Sequence, residues 1–292
     1  MTVSALGVLL ILGSSLAYST LDLLRKVLVA RLDAASLLFY LSVGQLPFFA
    51  AWMLAEGSPS IEPAYYLPAG ISVALNIAAN LLFMEAVRVS PLSLTVPFLS
   101  LTPVFTAILG IPILGEMPGL MRWAGVLIVV LGASQLNLGA AGLAPRDVMK
   151  ALGRERGSLL MVTVALCWSI AMPLDKVALT HASVAIHGFV LNAGVAAGMV
   201  VMLAARGRLS RLGEAARAWR LLSIGVLVSV VGLAFLLLAL GYVWVAVAET
   251  LRRALGSVAA LGIGRVVFEE PVTAAKALGV ALMSAGVALI LL

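Results

Sequence analysis

The chain has 292 residues, of which 63% are hydrophobic and 11% are charged, and its formal net charge at pH 7 is +6. A soluble domain of this length cannot bury so much apolar surface, so the composition excludes one and indicates a protein embedded in the lipid bilayer. Most basic residues fall in loops or near span ends, which is typical of membrane topology and argues against nucleic acid as a partner.

Ten apolar runs predict ten membrane-spanning helices, because each span needs about 20 residues. In chain order the predicted spans are 3–24, 34–55, 65–88, 91–112, 119–138, 157–179, 184–205, 219–240, 243–266 and 272–292. The runs are continuous rather than alternating, which favours helices over a barrel. The predicted fold class is therefore an all-α integral membrane protein.

Two smaller features concern the chain as a whole. No basic residue precedes the first apolar run, so we expect a retained helix rather than a signal peptide. The single cysteine, Cys167, lies within a predicted span and excludes an intrachain disulfide.

The first and sixth predicted spans share a sequence pattern. Residues 16–44 align without a gap on residues 166–194, and nine of the 29 positions are identical. The alignment pairs an aromatic and a basic residue in each copy, namely Tyr18 with Trp168 and Lys26 with Lys176. A duplicated membrane unit is typical of transporters, in which two related halves move about a shared site.

The ends of the two halves repeat as well, with a shift of 154 residues. The shift superimposes these pairs: Gly110/Gly264, Glu116/Glu270, Gly125/Gly279, Val126/Val280 and Gly132/Gly286. The predicted organisation is a first repeat over 1–138, a connection over 139–156 and a second repeat over 157–292. Each repeat holds five spans, and an odd number places the second repeat upside down in the membrane, as an inverted repeat.

Basic residues near the span ends predict the orientation. Most of them fall on one side of the membrane: Arg25, Lys26, Arg31, Arg88, Arg146, Lys150, Arg154, Arg156, Arg206, Arg208, Arg211, Arg217, Arg220 and Arg265. The other side has little beyond Arg122 and Lys176. The positive-inside rule makes the rich side cytoplasmic, which places both termini outside.

Three charged residues lie near the middle of the ninth span. Glu249 is three and four residues before Arg252 and Arg253, so the three share one helix face and can pair. A charge at this depth costs about 2.5 kcal/mol or more unless it meets water or a partner. The trio is either an ion pair that fixes the helix to its neighbours or a charged wall of a transport cavity that meets a substrate carboxylate.

Polar and aromatic residues in other spans are further substrate-binding candidates. Asn76, Asn80 and Phe83 line one face of the third span, where asparagine amides can either bond neighbouring helices or hold a ligand. Tyr18 and Trp168 occupy equivalent positions in the two halves. They are either packing residues or a pair of aromatic rings that holds an apolar side chain at the centre.

Several charged residues lie near span ends. Lys26 and Lys176, with Asp22 and Asp175 nearby, are predicted as membrane anchors or as gate contacts. Glu116 and Glu270 precede helix starts, where a carboxylate suits the helix dipole.

Histidine and proline complete the list of candidate residues. His187 is expected to be a hydrogen-bonded histidine rather than a proton relay. Pro97, Pro103 and Pro173 are hinge candidates, because proline removes a backbone hydrogen bond inside a helix. Gly194 and Gly198 predict a close helix approach.

The residues do not favour catalysis. The two histidines, His181 and His187, have no metal-binding motif, Cys167 has no nearby base, and no carboxylate pair lies in mid-membrane. We therefore expect no enzyme, no metal and no cofactor. Glu249 has arginine neighbours that keep it charged, so uniport or exchange is expected over obligate proton coupling. A monomer is the expected state.

Several phrases resemble the drug/metabolite transporter superfamily in its ten-helix EamA branch. These phrases are Asn80-Leu-Leu-Phe-Met-Glu-Ala-Val, Leu101-Thr-Pro-Val-Phe-Thr-Ala-Ile-Leu-Gly110, Leu114-Gly-Glu-Met-Pro118, Trp123-Ala-Gly-Val, Phe268-Glu-Glu-Pro271 and Leu278-Gly-Val. The resemblance implies a bacterial inner-membrane exporter of small metabolites with a central cavity, similar to amino-acid exporters of the YddG type. It also implies cytoplasmic termini, whereas the loop charges predict the opposite. A lipid or sugar-phosphate carrier and a proton-coupled drug antiporter are the alternatives.

Overall fold

The computed structural model describes residues 4–29, 32–57, 60–90, 96–141, 156–267 and 273–291. These residues form ten α-helices and, within those ranges, no strand: α1 Ala5–Val29, α2 Ala34–Ala55, α3 Tyr66–Val89, α4 Thr102–Leu114, α5 Leu120–Ala141, α6 Arg156–Ala178, α7 Val184–Ala205, α8 Trp219–Ala239, α9 Val245–Val267 and α10 Ala274–Leu291. Seven of the described helices are long and apolar enough to cross a membrane. The predicted all-α fold class is confirmed.

Most helix ends lie close to their predicted positions. Asp33 and Ser183 start α2 and α7, because each side chain accepts a hydrogen bond from a backbone N–H of the first turn. The basic connection after α7 differs from a plain loop, since 209–218 form a 3₁₀ helix. The hydroxyl of Tyr40 donates to the carbonyl of Leu212 and so attaches this 3₁₀ helix to α2.

The fourth span is the main departure from prediction. Instead of one helix over 91–112, a 3₁₀ helix covers 96–101, and α4 begins only at Thr102. Pro103 lies in the first turn of α4, where its missing N–H costs nothing and its fixed backbone angle suits the helix. It therefore starts a helix rather than kinking one, whereas Pro173 lies inside α6.

Contacts between the two halves are symmetric. The first helix of each half packs against the third helix of the other half, as α1 on α8 and α6 on α3. Equivalent helices also pack on each other, as α2 on α7, α4 on α9 and α5 on α10. The first helix of each half further contacts the fourth helix of the other half, as α1 on α9 and α6 on α4. The two halves are therefore related by a twofold axis. Each contact between non-equivalent helices occurs twice, and each contact between equivalent helices lies on the axis.

Glycines between α5 and α10 reveal the direction of the repeat. A Cβ atom on Gly125 would lie 2.7 Å from the carbonyl oxygen of Gly286, and one on Gly132 would lie 2.7 Å from that of Gly279. The sequence alignment equates Gly125 with Gly279 and Gly132 with Gly286. Gly125 therefore contacts the counterpart of Gly132, and Gly132 contacts the counterpart of Gly125. Equivalent helices therefore run antiparallel, which confirms the inverted repeat.

The predicted close approach at Gly194 and Gly198 is also present. A Cβ atom on Gly194 would lie 2.3 Å from Val73, and one on Gly198 would lie 2.7 Å from Ile77. Both partners belong to α3, so these glycines allow α7 to pack closely on a helix of the other half.

Candidate functional site

The charged trio of α9 forms a buried ion-pair cluster. The carboxylate of Glu249 is 1% exposed, and its Oε2 accepts bonds from Nε and Nη2 of Arg252 at 2.9 and 2.6 Å. Its Oε1 accepts a bond from Nη2 of Arg253 at 2.9 Å. The predicted shared face and pairing are therefore present, and both carboxylate oxygens are occupied.

Two guanidinium groups against one carboxylate leave the cluster with a net charge of +1. The arginine side chains are 26% and 22% exposed, so part of each is accessible, and Nε of Arg253 is buried without a hydrogen-bond partner among the described residues. The nearest described acid on α1, Asp22, pairs with Arg25 at 3.2 Å and is itself exposed. Asp22 attracts both arginines from a distance, so it offsets the positive charge only in part, and Glu249 is the one carboxylate among the described groups that bonds them.

Thr102 links this cluster to the other half of the chain. Nη2 of Arg253 donates to Oγ1 of Thr102 at 3.3 Å, and the threonine hydroxyl donates to the carbonyl of Leu99 at 2.6 Å. The hydroxyl oxygen of Ser169 in α6 lies 3.1 Å from the carbonyl oxygen of Thr102 and 2.7 Å from that of Ala165, and its single proton serves both acceptors. Helices α4, α6 and α9 therefore meet at the junction where the 3₁₀ helix becomes α4. Sequence reasoning missed Thr102, for which only the neighbouring Pro103 gave a signal.

The predicted aromatic candidates lie in two contacts. The guanidinium carbon of Arg252 is 6.0 Å from the ring centroid of Tyr18, which brings α1 to the cluster. The rings of Trp168 and Phe83 are 6.3 Å apart at their centroids, and both are half-buried. Trp168 adjoins Ser169, so the second contact is connected to the cluster through Thr102.

The two asparagines bond within their own helix. Nδ2 of Asn76 donates to the carbonyl of Ser72 at 3.0 Å, and Nδ2 of Asn80 donates to the carbonyl of Asn76 at 2.8 Å. Both side chains are half-buried. Their amide oxygens are the groups that remain to accept a further bond.

Lys176 lies between the halves, with its side chain 14% exposed, instead of extending to the membrane surface. Its Nζ donates to Oε1 of Glu116 and to the carbonyl of Val243, both at 2.7 Å. The other oxygen of Glu116 accepts from the backbone N–H of Val245, the first residue of α9, at 2.8 Å. Glu116 therefore caps α9 of the opposite half rather than its own following helix, because the helix N-terminus attracts a carboxylate.

Asp175 is turned away from Lys176 into a separate buried network. It accepts a hydrogen bond from the hydroxyl of Ser72, and its Oδ1 lies 3.1 Å from Nε2 of His187. Nδ1 of His187 lies 3.1 Å from the hydroxyl of Tyr65. His187 is 0% exposed. The prediction of a bonded histidine is confirmed, while sequence reasoning missed the roles of Ser72 and Tyr65.

The contacts of Lys176, Asp175 and His187 each join one half to the other. Another such contact joins His181 to Glu62 at 2.7 Å. All of them lie at one end of the interface, which we call the Lys176 end. The described polar contacts hold the halves together there.

Other predicted positions lie outside the described residues. These are the side chains of Lys26 and Pro97, the residue Glu270, and 142–155 of the predicted connection. A cavity of about 580 Å³ opens between the start of α2 and the ends of α3 and α7. It is lined by Asp33, Glu85, Arg206 and Arg208, among others, and includes none of the predicted site residues.

Ten helices in two inverted halves, packed symmetrically about a buried charged cluster, define a multi-pass membrane transporter. Residues 5–138 and 155–292 each match the EamA-like transporter family. The chain belongs to this family, within the drug/metabolite transporter superfamily, and is a membrane transporter of small metabolites. Members of the family are transporters rather than enzymes.

The fold has a solved counterpart. A crystal structure, whose title names no function, superimposes with a TM-score of 0.72 at 18% identity. The match covers 97% of this chain and 96% of the other. No curated protein matches the chain. The structural likeness therefore extends over the whole ten-helix fold and carries no information on the substrate.

Proposed function

We propose that the chain exports small metabolites that carry a carboxylate, with amino acids, including apolar and aromatic ones, as the leading substrates. The observation that carries this proposal is the net charge of +1 on the Glu249–Arg252–Arg253 cluster at the interface of the halves. A charge within the bilayer costs from about 2.5 kcal/mol upward when it is not compensated. A substrate carboxylate would compensate it.

The geometry of the arginines suits such a ligand. Glu249 occupies Nε and Nη2 of Arg252 and only Nη2 of Arg253, which leaves further N–H donors on both guanidinium groups. Nε of Arg253 is buried and has no hydrogen-bond partner within the part of the chain that the structure describes, a state that costs free energy unless a ligand or water bonds it. A carboxylate that accepts from a guanidinium forms short, charge-assisted bonds.

The remaining candidates fit the rest of an amino acid. Tyr18 stands beside Arg252, and the Trp168–Phe83 pair is joined to the cluster through Thr102, so aromatic surface is available for an apolar side chain. The amide oxygens of Asn76 and Asn80 are suited to accept bonds from an ammonium group. We assign these residues to substrate binding as part of the proposal.

Transport would proceed by alternating access, with the two halves rocking about the central cluster. Opening the Lys176 end requires the ion pair between Lys176 and Glu116 to part. The proposed bending points are three prolines: Pro173 near that end of α6, Pro103 at the start of α4, and Pro97. Both oxygens of Glu249 are engaged by arginine, so the central cluster itself supplies no proton carrier, which supports uniport or exchange there.

The setting of the protein belongs to the same proposal. The loop charges support a bacterial inner-membrane protein with both termini outside, which makes the Lys176 end the external one. A monomer is proposed, because each half already buries its interface against the other half. A reporter fused to the C-terminus that is active in the cytoplasm would contradict the orientation.

The same positive cluster also favours a second candidate, an anionic metabolite such as a sugar phosphate. A phosphate accepts the same charge-assisted bonds from arginine. A cationic drug is disfavoured, because the cluster would repel it. The two remaining candidates, an amino acid and a sugar phosphate, differ in the group that would pack on the aromatic residues. An amino acid would place an apolar side chain there, and a sugar phosphate would place its sugar there.

Counterflow in liposomes with labelled amino acids, sugar phosphates and organic cations tests the proposal. We expect amino acids to exchange, and Arg252→Gln and Arg253→Gln to lower apparent affinity by about tenfold to a hundredfold, since a bond to a charged group contributes about 1.5–3 kcal/mol. Arg220→Gln, an exposed arginine at the start of α8, is the matched control. Full-rate transport by both cluster variants, or counterflow of cations alone, contradicts the proposal.

A further inference from the structure

We propose that the cavity between the start of α2 and the ends of α3 and α7 binds the headgroup of a phospholipid with a primary amine, of the phosphatidylethanolamine type. The inference goes beyond the proposed function and does not depend on the identity of the transported substrate. It assigns a ligand to a cavity whose lining includes none of the candidate substrate-binding residues.

The cavity lies at the depth where phospholipid headgroups lie. Its charged residues adjoin the ends of three apolar spans, which are Ala34–Ala55, Pro63–Ala86 and Val184–Ala205. Its volume of about 580 Å³ is within the range of small-molecule sites, roughly 300–1,000 Å³. A lipid that places its headgroup here can leave its acyl chains in the hydrocarbon core of the bilayer.

The lining combines apolar side chains with two arginines. The apolar part comes from α3 and α7 and consists of Leu81, Met84, Met202 and Leu203. The arginines are Arg206 and Arg208, which follow α7 and are exposed. Within the part of the chain that the structure describes, neither guanidinium group has a hydrogen bond or an ion pair. Two positive charges at a headgroup depth are therefore available to a ligand.

A turn after α7 brings both arginines to the cavity. Gly207 between them has a φ of 63°, in the left-handed region that favours glycine, and the backbone N–H of Arg208 donates to the carbonyl of Leu203 at 2.8 Å. The chain therefore folds back on the end of α7, and Arg206 and Arg208 line the same cavity. Guanidinium groups form charge-assisted bonds with phosphate oxygens, so the pair suits a phosphodiester.

An acid from the other half supplies a partner for an amine. Oδ2 of Asp33, just before α2, accepts from the backbone N–H of Ala35 at 3.2 Å, while its Oδ1 has no bond among the described residues. Glu85 of α3 also lines the cavity, so the four charged groups have a formal total of zero. A headgroup with a phosphate and a primary amine matches both signs. A purely anionic headgroup would leave Asp33 without a partner.

The equivalent turn of the first half lacks the arginines. The 150-residue shift of the first alignment superimposes α2 on α7, and each helix is followed by a turn with a glycine at positive φ, 78° and 63°. The same shift places Glu56 and Ser58 where the second half has Arg206 and Arg208. The turn is thus part of the shared scaffold, whereas the two arginines are specific to one end of the molecule.

The cavity faces away from the central site. Successive residues of an α-helix are turned by about 100°, so Leu81 and Glu85 lie about 100° and 140° around α3 from Asn80. Asn76 and Asn80 share the face assigned to the substrate. The opposite placement of the cavity residues favours a ligand from the surrounding bilayer over a substrate on its way through the centre.

Native mass spectrometry of the purified protein, titrated with single phospholipids of equal chain length, tests the site. We expect phosphatidylethanolamine to bind more tightly than phosphatidylglycerol or phosphatidylcholine, and the double variant Arg206→Gln/Arg208→Gln to weaken its binding by about tenfold or more. Arg220→Gln, an exposed arginine outside the cavity, is the matched control and should leave binding unchanged. Unchanged binding by the double variant overturns the proposal, as does equal binding of phosphatidylglycerol.

Two further arms test the amine and the source of the ligand. Asp33→Asn keeps a residue that starts a helix well but removes the charge, so the affinity ratio of phosphatidylethanolamine to phosphatidylglycerol should fall by about fivefold. An unchanged ratio contradicts the assignment of the amine. Soluble O-phosphoethanolamine and free amino acids should not displace the lipid at equal concentration, and displacement would make this a site for a soluble ligand instead. These readouts do not involve transport, so their failure leaves the proposed function untouched.

Discussion

Helices α4 and α9 occupy equivalent places in the two halves, yet they are built differently. The first half reaches this place as a 3₁₀ helix that gives way to α4 at Thr102, whereas α9 is continuous over 245–267. The 154-residue shift sets the two arginines opposite Phe98 and Leu99, which are buried apolar residues. The charged copy keeps the regular helix that aligns its three side chains, and the interrupted copy supplies the threonine that meets Arg253.

The comparison separates the features that both halves share from the features that only one half has. Contacts such as those of α5 with α10 occur in matched pairs across the twofold axis, as a shared scaffold requires. The cluster of α9 has no charged counterpart in the first half, where the equivalent residues are Thr95, Phe98 and Leu99. Changes to the scaffold should therefore have equal effects in both halves, and changes to the cluster should not.

The largest effect is expected at Glu249. Glu249→Ala removes the only described partner carboxylate of two half-buried arginines, and breaking a fully buried pair typically destabilises a protein by about 3–5 kcal/mol, which is the upper limit here. Thermal unfolding of the purified protein in detergent should show a clear loss. The double variant Glu249→Gln/Arg252→Gln should be more stable than Glu249→Gln alone, because it leaves one unpaired arginine fewer. If Glu249→Ala unfolds like the natural protein, the cluster is solvated rather than buried.

A smaller and symmetric effect is expected at Gly132 and Gly286. An added Cβ would lie 2.7 Å from a facing carbonyl oxygen at either position, so Gly132→Ala and Gly286→Ala should each destabilise by about 1–3 kcal/mol. Gly119→Ala, where no atom lies within 4 Å, is the control in the same unfolding assay. Clearly unequal losses would show that the two sides of the α5–α10 contact are not equivalent.

The smallest effect is expected at Thr102. Thr102→Val removes the hydroxyl that Arg253 contacts, at a cost of about 1 kcal/mol or roughly fivefold in the apparent KM for the substrate. Thr106→Val on the same helix is the same chemical change, and the hydroxyl of Thr106 is buried without a partner in the described ranges, so this variant should leave KM unchanged. Equal KM values for the two variants would remove Thr102 from the site.

Sequence patterns predicted the scaffold well for a physical reason. Span length follows from bilayer thickness, and the duplication follows from aligned residues, so both are local properties of the chain. Glu249, Arg252 and Arg253 were predicted to pair because residues three and four apart on a helix are neighbours whatever the fold. The break before α4 was missed, because Pro103 fits both the interior of a kinked helix and the first turn of a new one.

Partners from distant parts of the chain were beyond prediction. Glu116 contacts the start of α9, which is 129 residues further along, and Ser72 contacts Asp175 across 103 residues. No periodicity encodes such a pairing. His187 and Asp175 lie on different helices of one half, and only the packing of α3 and of the short 3₁₀ helix before it, Pro63–Tyr65, supplies the hydroxyls that complete the network.

The crossed contact of the glycines in α5 and α10 has an evolutionary consequence. Two identical five-helix chains could pair in opposite orientations and make this same contact. Every residue of such a dimer would be present on both sides of the axis. Such a dimer would carry either two charged trios or none. Joining the two copies in a single polypeptide frees each to mutate alone, and a single +1 charge near a twofold axis is a feature that no dimer of identical chains can have.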